Sequence, residues 1–222
     1  MTVDMLHGRT EHVRAVGLLS SGGTESILLA VLAYREQGRA KGIEKPEILA
    51  GISAHPALTK ACHYFNVTLT KLPLCPSSLQ LLPDTVEKAL SSNTVAIYAS
   101  APTFTHGVVD PIEELGALAE RRGVGLHVDN CLGGFLLSYL SKACVFNRPW
   151  DFRVQGVTTI SCDLHKYVCT GGPPHILTLS QARTQPAYAD DELTVGCVLD
   201  PGTVTRAKAS LSSRSVLRSF GG

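Results

Sequence analysis

The segment TVAIYASAPTFTHGVVDPIEELGALAERRGVGLHVD, residues 94–129, has the pattern of a complete strand–helix–strand unit. The apolar run at 94–100 predicts a buried strand, and a second run at 124–129 predicts another. Between them, Pro111 suits the first position of a helix that we expect to end near Gly123. Two short apolar strands joined through a helix are typical of a parallel sheet, so this segment predicts an α/β fold.

The rest of the chain repeats this alternation of strands and helices. We expect Asp84 to cap a helix that opens at Pro83, with Glu87 reaching back to the start of that helix. Further helices are predicted at 23–38 and 56–65, and further strands at 47–53, 66–72, 157–163 and 175–180. This order favours a mostly parallel central sheet, in which ligands bind at the carboxyl ends of the strands. After about residue 182 no period is recognisable, and no regular structure is predicted there.

The composition is that of a globular protein, and its net charge argues against some classes of binding partner. Of 222 residues, 44% are hydrophobic and 18% are charged, and the net charge of +1 creates no field that would attract nucleic acid. The seven cysteines are scattered and odd in number, which argues against a disulfide framework or a zinc site and favours a reducing compartment. No apolar run approaches the ~20 residues of a membrane-spanning helix, so the chain by itself is predicted to be soluble and cytoplasmic.

Four residues able to take part in chemistry end a predicted strand or follow one closely: His55, Ser100, Asp129 and Lys166. A buried carboxylate at Asp129 stays ionised beside a cation, such as a protonated pyridine nitrogen; a turn or capping aspartate is the alternative. At Lys166 the pKa of the amine can be lowered and a Schiff base can form; a solvated surface lysine is the alternative. His55 can lie flat on an aromatic ring or be a structural histidine.

A glycine-rich stretch, Ser20-Ser21-Gly22-Gly23-Thr24-Glu25-Ser26, precedes the first predicted helix. Glycines let the backbone approach a ligand closely, and the first-turn N–H groups of a helix favour an anion such as phosphate. An ordinary connection between a strand and a helix is the alternative, because the stretch has neither the Gly-Lys-Ser/Thr ending of a P-loop nor a G-x-G-x-x-G pattern.

These pieces occur in the order SGGTES, SAH, SAPTFTHGVVDPIEEL, HVDNCLGGF and SCDLHKY. In that order they closely resemble the pyridoxal-phosphate lyases that cleave sphingosine 1-phosphate, which belong to the group II decarboxylase superfamily of fold type I. The resemblance covers roughly residues 15–168. It implies that the fold is a large domain of the PLP-dependent transferase type, truncated at both ends, with pyridoxal 5'-phosphate as the cofactor.

The resemblance also implies a role for each matched residue. Gly23 and Thr24 look like the phosphate-binding pair, and His55 resembles the residue stacked on the pyridine ring. Asp129 looks like the partner of the ring nitrogen, and Lys166 like the lysine that bonds to the cofactor as an imine. The remaining implied cofactor contacts are Ser100 and His165.

The reaction implied by the resemblance is a retro-aldol cleavage of a phosphorylated sphingoid base to a fatty aldehyde and phosphoethanolamine. The same resemblance implies a homodimer and a location at the endoplasmic reticulum membrane. Two alternatives remain: a pyridoxal-phosphate-dependent amino-acid decarboxylase, and a non-catalytic truncated remnant. Leu132 favours the lyase, because the decarboxylases usually have an aromatic residue at that position.

The end of the chain departs from the family pattern. After His-Lys-Tyr the family continues Gly-Tyr-Ala-Pro-Lys-Gly, whereas this chain has Val168-Cys169-Thr170-Gly171-Gly172-Pro173. A shift of one base in the codons would restore Tyr-Ala-Pro, so we hypothesise that the sequence after Tyr167 is a frame-shifted translation. Because the pattern of strands and helices ends at about residue 182, we divide the chain into a partial cofactor-binding domain at 1–181 and an irregular tail at 182–222. Because the family has a further C-terminal domain, we expect weak or absent catalysis by this chain alone.

Overall fold

A computed structural model describes residues 2–9, 13–163, 166 and 176–182. The strands are β1 (Arg14–Ser20), β2 (Glu47–Gly51), β3 (Thr68–Leu72), β4 (Thr94–Ser100), β5 (Gly125–Asp129), β6 (Val157–Asp163) and β7 (Ile176–Ala182). The helices are α1 (Thr2–Met5), α2 (Gly23–Ala40), α3 (Pro56–Phe65), α4 (Pro83–Ala89), α5 (Ile112–Arg122) and α6 (Gly134–Lys142). Among these helices none is both long and apolar enough to cross a membrane.

The strands form one sheet in the order β1-β7-β6-β5-β4-β2-β3. The five strands from β6 to β3 are parallel to one another, and β7 is antiparallel to both of its neighbours. The predicted α/β fold with a mostly parallel sheet is therefore confirmed. In the central register Ser100 pairs with Asp129, and Asp129 pairs with Ser161, so the carboxyl ends of β4, β5 and β6 meet at one edge.

Helices cover both faces of the sheet, which explains why its central strands are almost continuously apolar. Every residue of β4 is buried. On one face Ile97 and Ala99 pack into the cluster that contains the buried residues of α5. On the other face Ala96 and Tyr98 pack with those of α2 and α3. Because burying one large aliphatic side chain contributes about 1.5–3 kcal/mol, this packing on both faces fixes the position of the strand ends.

Most predicted elements occur at or within two residues of their predicted bounds, but the predicted cap of α4 and the predicted first residue of α5 are wrong. The helix α4 opens at Pro83 with Leu82 at the cap position and no side-chain cap, so Asp84 lies inside the first turn. Pro111 is the cap residue of α5 and not its first helical residue. The strand β1 and the helix α6, which opens at Gly134 where a turn was expected, were not predicted. The tail at 183–222 lies outside the described residues.

Asp110 lies just before α5, but its side chain bonds to other parts of the fold and does not cap the helix. Its carboxylate accepts hydrogen bonds from the backbone N–H of Leu81 and of Ser100, both at 2.9 Å. Its own N–H donates to the carbonyl of Ser100 at 3.0 Å. Burial raises the pKa of Asp110 to about 6, against the two backbone donors, which lower it. Asp110 therefore fastens the carboxyl end of β4 to the segment before α4.

We predict that Asp110→Asn lowers the free energy of unfolding by about 2 kcal/mol, because an amide oxygen can satisfy only one of the two buried N–H donors. Urea denaturation followed by circular dichroism measures the change. Asp84→Asn is the control, since this exposed carboxylate caps nothing and should change stability by less than about 1 kcal/mol. Equal effects of the two substitutions would contradict the structural role of Asp110.

Candidate active site

A cavity of about 290 Å³ opens at the carboxyl edge of the sheet. This volume is close to the lower limit for pockets that bind small molecules. Six of the predicted site residues line it: Gly23, Thr24, His55, Ser100, Asp129 and Lys166. The seventh, His165, lies outside the described residues. The fold thus brings into one pocket side chains that come from segments far apart in the sequence.

Asp129 ends β5 at the base of this pocket and is only 8% exposed. Its carboxylate accepts hydrogen bonds from three donors. The hydroxyl of Tyr98 donates to Oδ2, and the backbone N–H of Cys131 donates to Oδ1 at 3.1 Å. The hydroxyl of Ser161 also donates to Oδ1, at 3.4 Å. These donors stabilise a carboxylate that burial would otherwise disfavour.

Lys166 reaches the same pocket and forms an ion pair with Asp163, the last residue of β6. The Nζ–Oδ2 distance is 3.0 Å, and the two side chains are 31% and 3% exposed. Burial lowers the pKa of the Lys166 amine, but the hydrogen bond and charge of Asp163 outweigh it, so the pKa is raised. The expectation of a lowered pKa is therefore wrong for this arrangement, because the carboxylate of Asp163 lies beside the amine.

The amino end of α2 forms a second wall of the pocket. The helix begins at Gly23, and its cap residue Gly22 has no side chain to accept from the first-turn N–H groups. A Cβ atom at Gly23 would lie 3.0 Å from Oδ1 of Asp163 and 3.2 Å from Sγ of Cys131. A side chain there would crowd both groups, so glycine permits the close approach of α2 to the end of β6. Uncapped N–H groups and the helix dipole suit an anionic group.

His55 is held by the helix that follows it. Its Nδ1 accepts a hydrogen bond from the backbone N–H of Ala57 at 3.1 Å and so caps α3. Because a backbone N–H can only donate, Nδ1 carries the lone pair and the ring hydrogen lies on Nε2. The ring of Phe104 packs edge-on against His55, with 5.3 Å between ring centroids. The orientation of the imidazole is therefore fixed by the protein before any ligand enters.

Sequence reasoning missed several residues of this site. Tyr98 was treated only as part of a strand, although it lies on the same face of β4 as Ser100. Asp163 ends a parallel strand just as Asp129 does, and that position alone could have identified it. The other unpredicted lining residues are Gly22, Ile27, Pro102, Phe104, Cys131 and Leu132.

Comparison with known proteins shows the family of this chain. The model of the pyridoxal-dependent decarboxylase conserved domain matches residues 1–171. The chain belongs to the pyridoxal-dependent decarboxylase family. Within that family it is 45% identical to sphingosine-1-phosphate lyase 1 of Mus musculus over 168 residues, which is 75% of this chain and 29% of the mouse protein. It is 46% identical to sphingosine-1-phosphate lyase of Saccharomyces cerevisiae over 153 residues, or 68% of this chain and 26% of the yeast protein.

Solved structures of the family agree with this assignment. A sphingosine-1-phosphate lyase of Burkholderia pseudomallei superposes with a TM-score of 0.76 at 38% identity, covering 96% of this chain and 52% of that one. A glutamate decarboxylase of Lactobacillus brevis superposes with a TM-score of 0.71 at 23% identity, covering 81% of this chain and 42% of that one, which shows the shared fold. The chain spans less than a third of the length of the curated relatives named above.

We predict that Asp163→Asn increases the reactivity of Lys166 toward an amine-acylating reagent at about pH 9, because the amine keeps its burial and loses the charge that holds its proton. Each unit by which the pKa falls increases the unprotonated fraction about tenfold. Peptide mapping by mass spectrometry gives the labelling rate at this residue. The control is Asp151→Asn, which alters a buried aspartate paired with Arg153 in another part of the fold. Unchanged labelling in Asp163→Asn would contradict the role of this ion pair.

Proposed function

We propose that this chain binds pyridoxal 5'-phosphate and carries the catalytic core of a carbon–carbon lyase. The observation that supports this most strongly is the single pocket that gathers Lys166, Asp129, His55 and the amino end of α2. A lysine amine, a buried carboxylate and an anion-binding helix end are the three groups that the aldehyde, ring nitrogen and phosphate of this cofactor need.

The residues present fit the cofactor chemically. Lys166 would hold it covalently through Nζ, and Asp129 would pair with its protonated ring nitrogen. Gly23 and Thr24 would bind its phosphate through backbone N–H groups and a hydroxyl, and His55 would lie against its ring. Two further contacts are proposed at Ser100, which lines the pocket, and at His165, which rests on the resemblance alone.

When bound, pyridoxal phosphate supplies an electron-accepting ring that stabilises the electron pair left when a bond to the amine-bearing carbon of the substrate breaks. The protein has to prepare the nucleophile. The amine of Lys166 must lose a proton from Nζ before it can attack a carbonyl carbon. Oδ2 of Asp163, at 3.0 Å, is positioned to accept that proton, and the ion pair becomes a neutral acid and a neutral amine. Asp129 remains a carboxylate, with its three donors.

The substrate that we propose is a phosphorylated sphingoid base. The support is the set of relatives named as sphingosine-1-phosphate lyases, which include those of Oryza sativa at 48% identity and of Dictyostelium discoideum at 40%. The reaction would be a retro-aldol cleavage of the bond between C2 and C3, giving a fatty aldehyde and phosphoethanolamine. From the resemblance to this family we also propose a homodimer and a location at the endoplasmic reticulum membrane.

We predict that the purified chain incubated with pyridoxal 5'-phosphate develops a visible absorbance band that borohydride removes, and that Lys166→Ala abolishes the band because no other described amine lines the pocket. Lys142→Ala is the matched control, since Lys142 is exposed in the last turn of α6. Equal bands in all three proteins would show that the cofactor reacts with surface lysines. Absence of a band in the unsubstituted chain would favour a non-catalytic remnant.

We also predict that the chain releases fatty aldehyde from a phosphorylated sphingoid base faster than its own Lys166→Ala variant does. A single-turnover assay with trapping of the aldehyde detects even slow cleavage. Release of carbon dioxide from an amino acid, with no aldehyde from the sphingoid base, would instead favour the decarboxylase alternative.

A further inference from the structure

The carboxylate of Asp129 is at one end of a buried hydrogen-bond network that the reaction described above does not use. Ser161 can only donate to Oδ1 of Asp129, because an ionised carboxylate has no hydrogen to give. A hydroxyl has one hydrogen, so Ser161 must accept in its other contacts. It accepts from Sγ of Cys131 at 3.3 Å and faces Nε2 of His127 at 3.2 Å.

This count of hydrogens determines the tautomer of His127. Since Ser161 accepts, the ring hydrogen of His127 lies on Nε2, and Nδ1 carries a lone pair. The hydroxyl of Thr159, 2.7 Å from Nδ1, must then donate to it. Burial lowers the pKa of His127 to about 4, which agrees with a ring that holds one hydrogen at neutral pH.

The network reaches Tyr34 of helix α2, whose hydroxyl lies 2.6 Å from the hydroxyls of both Thr159 and Thr158, and either oxygen can be the donor in these two contacts. From Thr159 onward the direction is defined, because Thr159 gives its hydrogen to His127. The hydrogens of Thr159, His127 and Ser161 therefore all point toward Asp129. Hydrogen bonds aligned in this way polarise one another, which strengthens the last bond of the series, the one to the carboxylate.

Tyr98 supplies a second and separate donor to the other oxygen. It is 2% exposed, and its hydroxyl donates to Oδ2 of Asp129. Its ring is stacked on that of His127, with 5.1 Å between centroids and 28° between planes. Burial raises the pKa of the Tyr98 phenol well above its ordinary value, and the charge of Asp129 raises it further, so the phenol keeps its hydrogen.

We propose that Tyr98, Ser161 and His127 are positioning residues that keep Asp129 ionised and oriented, so that the cofactor's ring nitrogen retains its proton. The inference rests on the proposed binding of pyridoxal phosphate. In a buried site, a carboxylate and a pyridinium can exchange the proton and become two neutral groups. Donors to the carboxylate stabilise its charged form and oppose that transfer.

The direct test uses nuclear magnetic resonance of pyridoxal 5'-phosphate labelled with nitrogen-15 in the ring and bound to the protein. We expect the resonance of a protonated ring nitrogen in the unsubstituted chain. In Tyr98→Phe and in Ser161→Ala it should move toward the value of an unprotonated pyridine. Tyr34→Phe is the matched control, because it removes an equally buried phenol and leaves all three donors to Asp129 in place.

The outcomes separate this inference from the proposed function. If the unsubstituted chain binds no cofactor, the proposed function fails. If it binds the cofactor with a protonated ring nitrogen and both variants bind it with the same resonance, the positioning role is refuted. If the resonance moved as far in Tyr34→Phe as in Tyr98→Phe and Ser161→Ala, the shift would reflect a general loss of packing, and the positioning role would also be refuted.

A second measurement needs no cofactor and no substitution. Nitrogen-15 labelling of histidine in the chain reports which ring nitrogen of His127 carries the hydrogen. We expect the hydrogen on Nε2. A neutral ring with its hydrogen on Nδ1 would reverse the direction of the network and overturn the inference, even if a variant fails to fold.

Discussion

The carboxylate of Asp129 is the group on which the rest of the site depends. It lies almost fully buried at the carboxyl end of a strand that has neighbours on both sides, and a charge in such a place is costly unless donors and a cation compensate for it. Tyr98, Ser161 and the backbone of Cys131 provide the donors. A ligand with a protonated ring nitrogen would supply the compensating positive charge.

Parallel pairing of β4, β5 and β6 makes this arrangement possible. Their register places Ser100, Asp129 and Ser161 side by side, and Asp163 follows two residues further along β6. The ion pair between Asp163 and Lys166 then brings the amine into the pocket that Asp129 lines. Asp110 contributes indirectly, because its two backbone contacts fix the end of β4 that carries Ser100 and, two residues earlier, Tyr98.

The sequence was sufficient to predict features that depend on local patterns. The apolar runs of β4, β5 and β6 and the left-handed end of α5 at Gly123 follow from periodicity and from glycine chemistry, and the structure has them. Positions just after strands identified His55, Ser100, Asp129 and Lys166 as candidates, and one pocket contains them all. Their chemical roles came from the resemblance to a family, since position alone left ordinary alternatives open.

Features that depend on contacts between distant segments could not be predicted in this way. Asp110 precedes the proline at the start of α5, but its carboxylate accepts from the distant backbone of Leu81 and from Ser100, contacts that no local pattern indicates. The pKa of Lys166 is raised because its amine lies beside Asp163, and the fold decides which carboxylate lies near an amine. Tyr98 had the sequence signature of a core strand residue, and only the register of the sheet shows that its hydroxyl reaches Asp129.

The most direct measurement is a crystal structure of the chain grown with pyridoxal 5'-phosphate. We predict continuous electron density from Nζ of Lys166 to the cofactor, with the ring nitrogen beside the carboxylate of Asp129 and the phosphate at the amino end of α2. A cofactor bound with its ring nitrogen turned away from Asp129, or attached to a different lysine, would contradict it.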